Sequence, residues 1–243
     1  MTDIFKLIED LKVDFKVKGF DIVSPFKVQD YNNNALHKIN DYGRNSALGL
    51  IIGCTKQFWE HFNRYIIEQA EIPKDPMNSF CKDTIEQVIK NNVPIHQYQH
   101  ELLYDWNSPR SGKYVHIQTC GHFAGIAQYD KEIMWSVHPE YGLWFVFRAV
   151  LVVNVEFNPE SLPQLPTEPI LTVPVKNRMK ALTQQAIEEG WANLETRLQI
   201  RDCCPIGKEK YRYSGDMFDY FYPISRTSRE VLETIRSNQK VEK

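Results

Sequence analysis

"LWFVFRAVLVVNVEF", residues 143–157, is the stretch that decides the fold. Its aromatic and β-branched residues form a nearly continuous apolar run, which predicts a long strand buried on both faces. The preceding "IMWSVHP" (133–139) predicts a second strand, joined to the first by a turn around Pro139 and Gly142.

Patterns on both sides of this stretch predict further elements. Strands are predicted for "FDIVSPFKV" (20–28), broken or bulged at Pro25, and for "ALGLIIGCT" (47–55), "VPIHQYQHELLY" (93–104) and "KYVHIQT" (113–119). Helical spacing predicts helices from Ile4 to Phe15, after a Thr2/Asp3 cap, and at 56–69, 78–91 and 175–197. "HFAGIAQY" (122–129) has the composition of a tightly packed helix, and 31–45 is a predicted loop. Because the strands come in neighbouring groups, the sequence favours an α+β fold with a mainly antiparallel sheet flanked by helices.

Length and composition favour one soluble domain over residues 1–243, with a proline-rich connector at 158–174. The 29 basic and 31 acidic residues nearly cancel, so no overall field favours nucleic acid or an anionic membrane. The five cysteines have no C-x-x-C spacing, and the first residues resemble neither a signal nor a transit peptide. We therefore expect reduced thiols in a cytoplasmic protein without a membrane span.

Several common catalytic signatures are missing from the sequence. It contains neither a P-loop nor a G-x-G-x-x-G turn for phosphates, and no G-x-S-x-G elbow for a nucleophilic serine. His96 and His100, on a predicted strand, would lie roughly 13 Å apart by the rise per residue. That distance is too long for a shared metal ion, so no metal site is predicted.

Arg148 is anomalous because it interrupts the apolar run 143–157. A buried guanidinium without a partner is unfavourable by several kcal/mol, on the order of the desolvation cost of one ion. Two partners are open: an internal aspartate or glutamate, or the carboxylate or phosphate of a ligand.

His122 is the second anomaly, in "IQTCGHFAGIAQY" (117–129). Its x-x-His-x-x-Gly context matches part of the Asp-x-His-x-x-Gly motif that supplies an imidazole to cobalt in one class of cobalamin enzymes. Cys120 stands where that motif has aspartate, and a thiol is a poor substitute for the carboxylate that orients a ligating imidazole. His122 is therefore either a hydrogen-bonded core histidine or a group in a cofactor site.

The C-terminal third adds Arg201, Arg226 and Arg229, each of which alone fits a solvated surface charge. The adjacent Cys203 and Cys204 favour two packed thiols, because a disulfide between neighbouring residues is strained.

Together, "QTCGHFAGIAQY" (118–129), "SVHPEYGLWFVFRAVLVV" (136–153), "IRD" (200–202) and the tail from Tyr220-Phe221 to the following arginine resemble the CblC (MMACHC) family of cobalamin trafficking proteins. The resemblance runs from the first helix to about Ile235, with both central motifs in the same order and at similar spacing. It implies a fold related to flavin-dependent nitroreductases, with the C-terminal segment 198–243 closing over the site.

The resemblance also implies ligands for particular residues. Cobalamin is taken base-off, its benzimidazole tail in a protein pocket and no protein ligand on cobalt, so His122 would line the pocket without ligation. The cobalamin-binding residues implied are His122, Gly125, Tyr129, Trp144 and Phe147. Those implied for glutathione are Arg148, Arg201 and one of Arg226 and Arg229, with Arg229 favoured.

The chemistry implied by the resemblance has two reactions. Glutathione thiolate dealkylates alkylcobalamins, and a reductant removes cyanide from cyanocobalamin, with FMN or FAD as an electron source. The protein residues would hold the cofactor and the thiol in position, and no catalytic side chain is assigned. The implied partners are a CblD-type adaptor and methionine synthase, with the protein a monomer or a ligand-induced dimer.

Some residues depart from the family pattern. Gln128 and Asp130 stand where tyrosines are usual, and Leu143 replaces a glycine. Weaker shielding of reduced cobalamin from oxygen would give a cobalamin-dependent glutathione oxidase activity. Two alternative functions stay open at this point: a non-catalytic cobalamin carrier and an FMN-dependent reductase.

Overall fold

The computed structural model describes residues 3–160 and 162–241. Within these residues the strands are β1 (Ile22–Lys27), β2 (Ala47–Cys54), β3 (His100–Tyr104), β4 (Gln128–Asp130), β5 (Trp135–Val137) and β6 (Val146–Glu156). The α-helices are α1 (Ile4–Val17), α2 (Val28–Asn34), α3 (Phe58–Glu68), α4 (Pro76–Asn91), α5 (Ile117–Phe123), α6 (Val173–Glu188), α7 (Leu194–Cys203), α8 (Lys208–Tyr211), α9 (Gly215–Phe221) and α10 (Ser228–Val241).

The main sheet has the order β1-β2-β6-β3, and each neighbouring pair is antiparallel. The strands β2 and β6 lie in its centre, which agrees with their apolar sequences. β4 and β5 form a separate antiparallel hairpin. The predicted α+β class with a mainly antiparallel sheet is confirmed.

Helices cover both faces of the main sheet. On one face, Leu50 and Leu151 pack against apolar side chains of α1, α3, α4 and α10. On the other face, Ile51 and Val150 pack against side chains of α2 and α5. A smaller cluster joins α6 and α7 to the β4–β5 hairpin through Met179 and Ile200. Alternate side chains of each central strand therefore point to opposite faces of the sheet and belong to two separate cores.

Two predictions in the first part of the chain differ from the structure, the second only over its first four residues, since 35–45 carry no helix or strand. β1 is neither broken nor bulged at Pro25, which pairs in register with Leu50. Proline is tolerated there because β1 is an edge strand of the sheet. The predicted loop 31–45 begins inside α2, where Tyr31 and Asn32 are buried and bonded to backbone groups of His37 and Ile39.

The region from 93 to 129 also differs from prediction. Residues 93–97 form a 3₁₀ turn, so the predicted strand is reduced to β3, and His96 and His100 bring their rings to 6.4 Å. "KYVHIQT" (113–119) is not a strand, because its last residues begin α5. α5 ends at Phe123, so "HFAGIAQY" (122–129) is a helix end, a turn and β4 rather than a helix.

The predicted helix 175–197 is two helices, α6 and α7. Gly190 and Trp191 both adopt positive φ, 63° and 60°, which ends the first helix before Asn193 caps the second.

The connector 158–174 carries no helix or strand in its described residues before α6 begins at Val173. Asp3 caps α1 through a 2.9 Å bond from the Phe5 amide, while Thr2 lies outside the described residues. Over the described ranges, no helix combines the length and the apolar character needed to cross a bilayer.

Gly125 packs closely against Pro163 of the connector. Its φ is 69°, and an added Cβ would lie 2.1 Å from the Pro163 carbonyl oxygen. Gly112 has nearly the same φ, 70°, but nothing within 4 Å of that position. We expect Gly112→Ala to lower the free energy of unfolding by about 1 kcal/mol from backbone strain, and Gly125→Ala by roughly 2 kcal/mol more from the clash. Urea unfolding measures both, and equal losses would contradict this packing.

Candidate functional site

The candidate site is a cavity of about 380 Å³ between the end of β3, the β4–β5 hairpin and α7. Asp105, just after β3, and Arg201 of α7 contribute its charged groups. The remaining wall comes from 114–118, 135–136, 143 and 145–147. Three of these segments adjoin the central strand β6 or the hairpin before it, so the long strand positions the site.

Buried polar atoms without protein partners collect at this cavity. Among the described side chains, such atoms include Asp105 Oδ1, Trp135 Nε1 and Ser136 Oγ in the wall, and Arg148 Nε and Trp144 Nε1 in adjoining residues. A buried polar atom is normally hydrogen-bonded, so each exception needs an explanation. Their concentration here indicates a place for a polar ligand.

Arg148 lies at a β-bulge of β6. Ile52 pairs with Ala149 and Gly53 pairs with Phe147, so Arg148 is an extra residue opposite β2. A Cβ on Gly53 would lie 2.6 Å from the Val146 carbonyl oxygen, so glycine permits the close approach at the bulge. Bulges beside functional sites re-aim a side chain, and this one places a charged side chain in an otherwise apolar strand.

Asp105 is the internal partner of Arg148. Its amide donates to the Arg148 carbonyl oxygen at 3.1 Å, and its Oδ2 lies 3.5 Å from Arg148 Nη1. The Arg148 side chain is 11% exposed and that of Asp105 24%. Burial raises the pKa of Asp105 to about 6, although Arg148 acts to lower it. The pair is thus a single long contact, and Arg148 Nε has no hydrogen-bond partner among the described residues.

Arg201 is held from α7 by aromatic rings. Its guanidinium lies 5.1 Å from the Trp144 ring centre and 5.2 Å from that of Tyr213, and Nη2 donates to the Phe145 carbonyl oxygen at 3.3 Å. Arg212 also lies over Trp144, at 5.6 Å. Cation–π contacts hold the charge without neutralising it. Arg201 therefore presents a positive group to the cavity.

A second cavity of about 530 Å³ adjoins the first through Tyr114 and His116, which line both. Tyr129, Leu36 and Met134 also line it. The His116 ring lies 5.0 Å from that of Tyr129, and its Nδ1 lies 2.7 Å from Thr119 Oγ1. Burial lowers the pKa of His116, which keeps the imidazole neutral near neutral pH.

The structure separates the five residues that the resemblance assigns to cobalamin. Phe147 lines the first cavity and Tyr129 the second. His122, half-buried at the end of α5, accepts the Tyr129 amide at Nδ1 over 3.4 Å, and burial lowers its pKa. Gly125 meets the connector, and Trp144 is fully buried beneath Arg201.

The arginines of the C-terminal segment also differ in position. Arg226 is bonded to Asp216 and to Asp219, the latter at 3.0 Å. Arg229 is exposed on α10 and pairs only over one helical turn, with Glu233 at 3.0 Å. Neither belongs to the walls of the two cavities. Cys203 and Cys204 are free thiols, the first half-buried and the second buried.

Sequence patterns alone did not identify Asp105, His116, Trp135 or Ser136 as site residues. One signal was present for Asp105, which directly follows the strand "HELLY" and so stood near a buried strand end. His116, Trp135 and Ser136 carry no such signal, because each lies in a short segment whose neighbours come from distant parts of the chain.

The raised pKa of Asp105 predicts a pH dependence of stability. Between the unfolded value of 3.8 and about 6, the folded protein binds a proton that the unfolded chain releases. The contribution of this group is thus fully present below about pH 4 and is lost as the pH rises through 6. We expect the unfolding free energy of the wild type, relative to Asp105→Asn, to fall by up to about 3 kcal/mol over this range. Urea unfolding at several pH values checks this, and a difference that rises with pH would contradict it.

Comparisons with known proteins agree with one another. A protein described as MMACHC-like from Caenorhabditis elegans is 27% identical over 163 residues, 53% of this chain and only 59% of that protein's length. The crystal structure of a C. elegans B12-trafficking protein CblC, a human MMACHC homologue, matches with a TM-score of 0.73 and 22% identity. That match covers 96% of this chain and 95% of the other, and it shows a shared fold. Residues 19–232 match the Methylmalonic aciduria and homocystinuria type C family, and the chain therefore belongs to this family.

Proposed function

We propose that the protein binds cobalamin base-off and removes its upper axial ligand, by glutathione-dependent dealkylation of alkylcobalamins and reductive decyanation of cyanocobalamin. Membership of the family and the described role of the C. elegans relative in B12 trafficking support cobalamin as the ligand. The observation that carries the proposal is the cavity with two arginines, Arg148 beside it and Arg201 in its wall, surrounded by unpartnered buried polar atoms.

Glutathione fits the positive side of this cavity. It has two carboxylates, and planar guanidinium groups bind carboxylates with good geometry. Arg148 keeps Nε without a protein partner, and Arg201 is held by rings rather than by a carboxylate. In this arrangement the arginines hold the peptide while its thiolate attacks the alkyl carbon. The carbon–cobalt bond breaks, leaving a thioether and cob(I)alamin.

Cobalamin would occupy the larger space formed by both cavities. Each cavity falls within the usual size of a small-molecule site, about 300–1,000 Å³, and Tyr114 and His116 line both. Trp135 and Ser136 line the first cavity, and their buried donors Nε1 and Oγ have no hydrogen-bond partner among the described residues. The protein residues thus bind and orient, and the reactive centre belongs to the cofactor.

Other parts of the proposal concern electrons and partners. For decyanation, reduced FMN or FAD supplies the electron and cyanide leaves. Weak shielding of the reduced cobalamin from oxygen gives a slow, cobalamin-dependent oxidation of glutathione. A CblD-type adaptor and methionine synthase receive the product in the cytoplasm. The electron donor and the partners rest on the family alone, whereas the oxidation of glutathione rests on Gln128, Asp130 and Leu143, which depart from the family pattern.

The first test is an anaerobic visible spectrum of the protein with methylcobalamin, before and after glutathione is added. We expect a blue shift on mixing, from loss of the lower base, and then conversion to reduced cobalamin with S-methylglutathione as the second product. A shift without conversion would indicate a carrier without catalysis. No shift would contradict cobalamin binding.

Variants of the arginines test the glutathione site. Neutralising Arg148 or Arg201 removes a charge-assisted hydrogen bond worth about 1.5–3 kcal/mol. We expect Arg148→Gln and Arg201→Gln to raise the KM for glutathione by about 10- to 100-fold, with the spectral shift of bound cobalamin retained. Arg44→Gln is the control, because Arg44 bonds Asn154 outside both cavity walls. Unchanged dealkylation by Arg148→Gln at low glutathione would refute the assignment.

We assign the third glutathione arginine to Arg229, because Arg226 is already engaged by Asp216 and Asp219. An exposed one-turn ion pair such as Arg229–Glu233 contributes little, typically below about 1 kcal/mol, and is easily exchanged for a ligand carboxylate. In the same KM series, Arg229→Gln should behave like Arg148→Gln, and Arg226→Gln like the control. The reverse result would move the assignment to Arg226.

A further inference from the structure

Asp105 is poorly placed to serve Arg148 alone. Elsewhere in the protein, Asp202 and Arg212 form a two-point pair, with Nε–Oδ1 at 2.8 Å and Nη2–Oδ2 at 3.1 Å. The side chains of Asp105 and Arg148 share one contact of 3.5 Å, and neither Asp105 Oδ1 nor Arg148 Nε has a hydrogen-bond partner in the part of the chain that the structure describes. A carboxylate selected only to neutralise a buried guanidinium would be expected to show the first geometry.

The backbone fixes Asp105 in this position. Its amide donates to the carbonyl oxygen of the bulged residue Arg148 at 3.1 Å, directly beyond the end of β3. The side chain stays at the cavity wall and is 24% exposed. Oδ1 is buried, whereas Oδ2 makes one long contact with Arg148 Nη1. A carboxylate oxygen can accept more than one hydrogen bond, so Oδ2 keeps acceptor capacity for a ligand.

The charges at the cavity form a definite pattern. Asp105 and Arg201 line the cavity, and Arg148 lies beside it, 3.5 Å from Asp105, so two guanidinium groups and one carboxylate lie in or next to the wall. His116 adds no charge near neutral pH, because burial lowers its pKa. Glutathione has the opposite set: two carboxylates and one ammonium group, on the γ-glutamyl residue. A charged ligand is selected by such a complementary arrangement and by the cost of leaving one buried charge unpaired.

We propose that Asp105 receives the γ-glutamyl ammonium group of the thiol substrate, so that the cavity selects thiols that carry an ammonium group as well as two carboxylates. This inference rests on the proposed function, since it concerns the same cavity and the same reaction. In it, Asp105 is a specificity-determining residue: it orients the peptide through the end remote from the thiol, and takes no part in bond breaking.

A substrate that lacks only the ammonium group provides the sharpest test. Glutaryl-cysteinylglycine retains the thiol and both carboxylates of glutathione, and has hydrogen in place of the amino group. In anaerobic dealkylation of methylcobalamin by the wild type, we expect its KM to exceed that of glutathione by about 10- to 100-fold. A ratio near one would overturn the proposal without any variant having to fold.

Measuring both thiols with the wild type and with Asp105→Asn gives a double-mutant-type cycle, in which the second change is removal of the ammonium group from the substrate. We expect its KM for glutathione to rise and the ratio between the two thiols to fall to within about threefold, whereas Asp105→Glu, which keeps the charge, should retain part of the ratio. Asp219→Asn is the matched control, because Asp219 pairs with Arg226 outside the cavity walls and Asp216 still holds that arginine. This control should keep the wild-type ratio of the KM for glutaryl-cysteinylglycine to the KM for glutathione.

Three outcomes separate the alternatives. A wild-type ratio that survives in Asp105→Asn would show that another group binds the ammonium. A lower KM for both thiols in Asp105→Asn would show that Asp105 merely competes for Arg148. Failure of the wild type to dealkylate with glutathione would remove the proposed function itself, which is a different result from equal use of the two thiols.

Discussion

A guanidinium inside the central strand of a sheet is the constraint on which the rest of this structure depends. Arg148 is buried, and a buried charge must be met by groups of opposite sign. The bulge opposite Gly53 gives the side chain room, and Asp105 is held beside it by a backbone hydrogen bond. The bulge in β6, the position of Asp105 after β3 and the charged wall of the cavity thus lie together around this one charge.

The two central strands could be predicted from sequence because burial on both faces leaves a clear apolar pattern. Residues 113–119 could not, because "YVHI" has strand propensity while its real conformation is set by distant contacts. There, the His116 amide donates to the Tyr31 hydroxyl at 3.0 Å as the chain enters α5. Tyr31 itself lies in α2, at the start of a predicted loop. The neighbouring Asn32 is buried by hydrogen bonds to Ile39 that local composition does not reveal.

The site was only partly predictable for a related reason. Arg148 could be identified because a charge in an apolar run violates a local rule, and such violations concentrate at functional sites. Asp105 obeys every local rule as a polar residue after a strand, and its role depends on a pairing between β3 and β6. The resemblance to a family supplied Arg201, whose position on aromatic rings is a tertiary feature without a sequence signature.

Because Arg201 lies on α7, two layers of the protein contribute arginines to the site. Arg148 belongs to the sheet, whereas α7 packs with α6 in the separate cluster beside the β4–β5 hairpin. A ligand that contacts both arginines links the two layers without a covalent bond. Its binding free energy therefore stabilises the packing of one layer against the other. Occupancy of such a site therefore strengthens the docking of α6 and α7 on the sheet, and loss of the ligand weakens it.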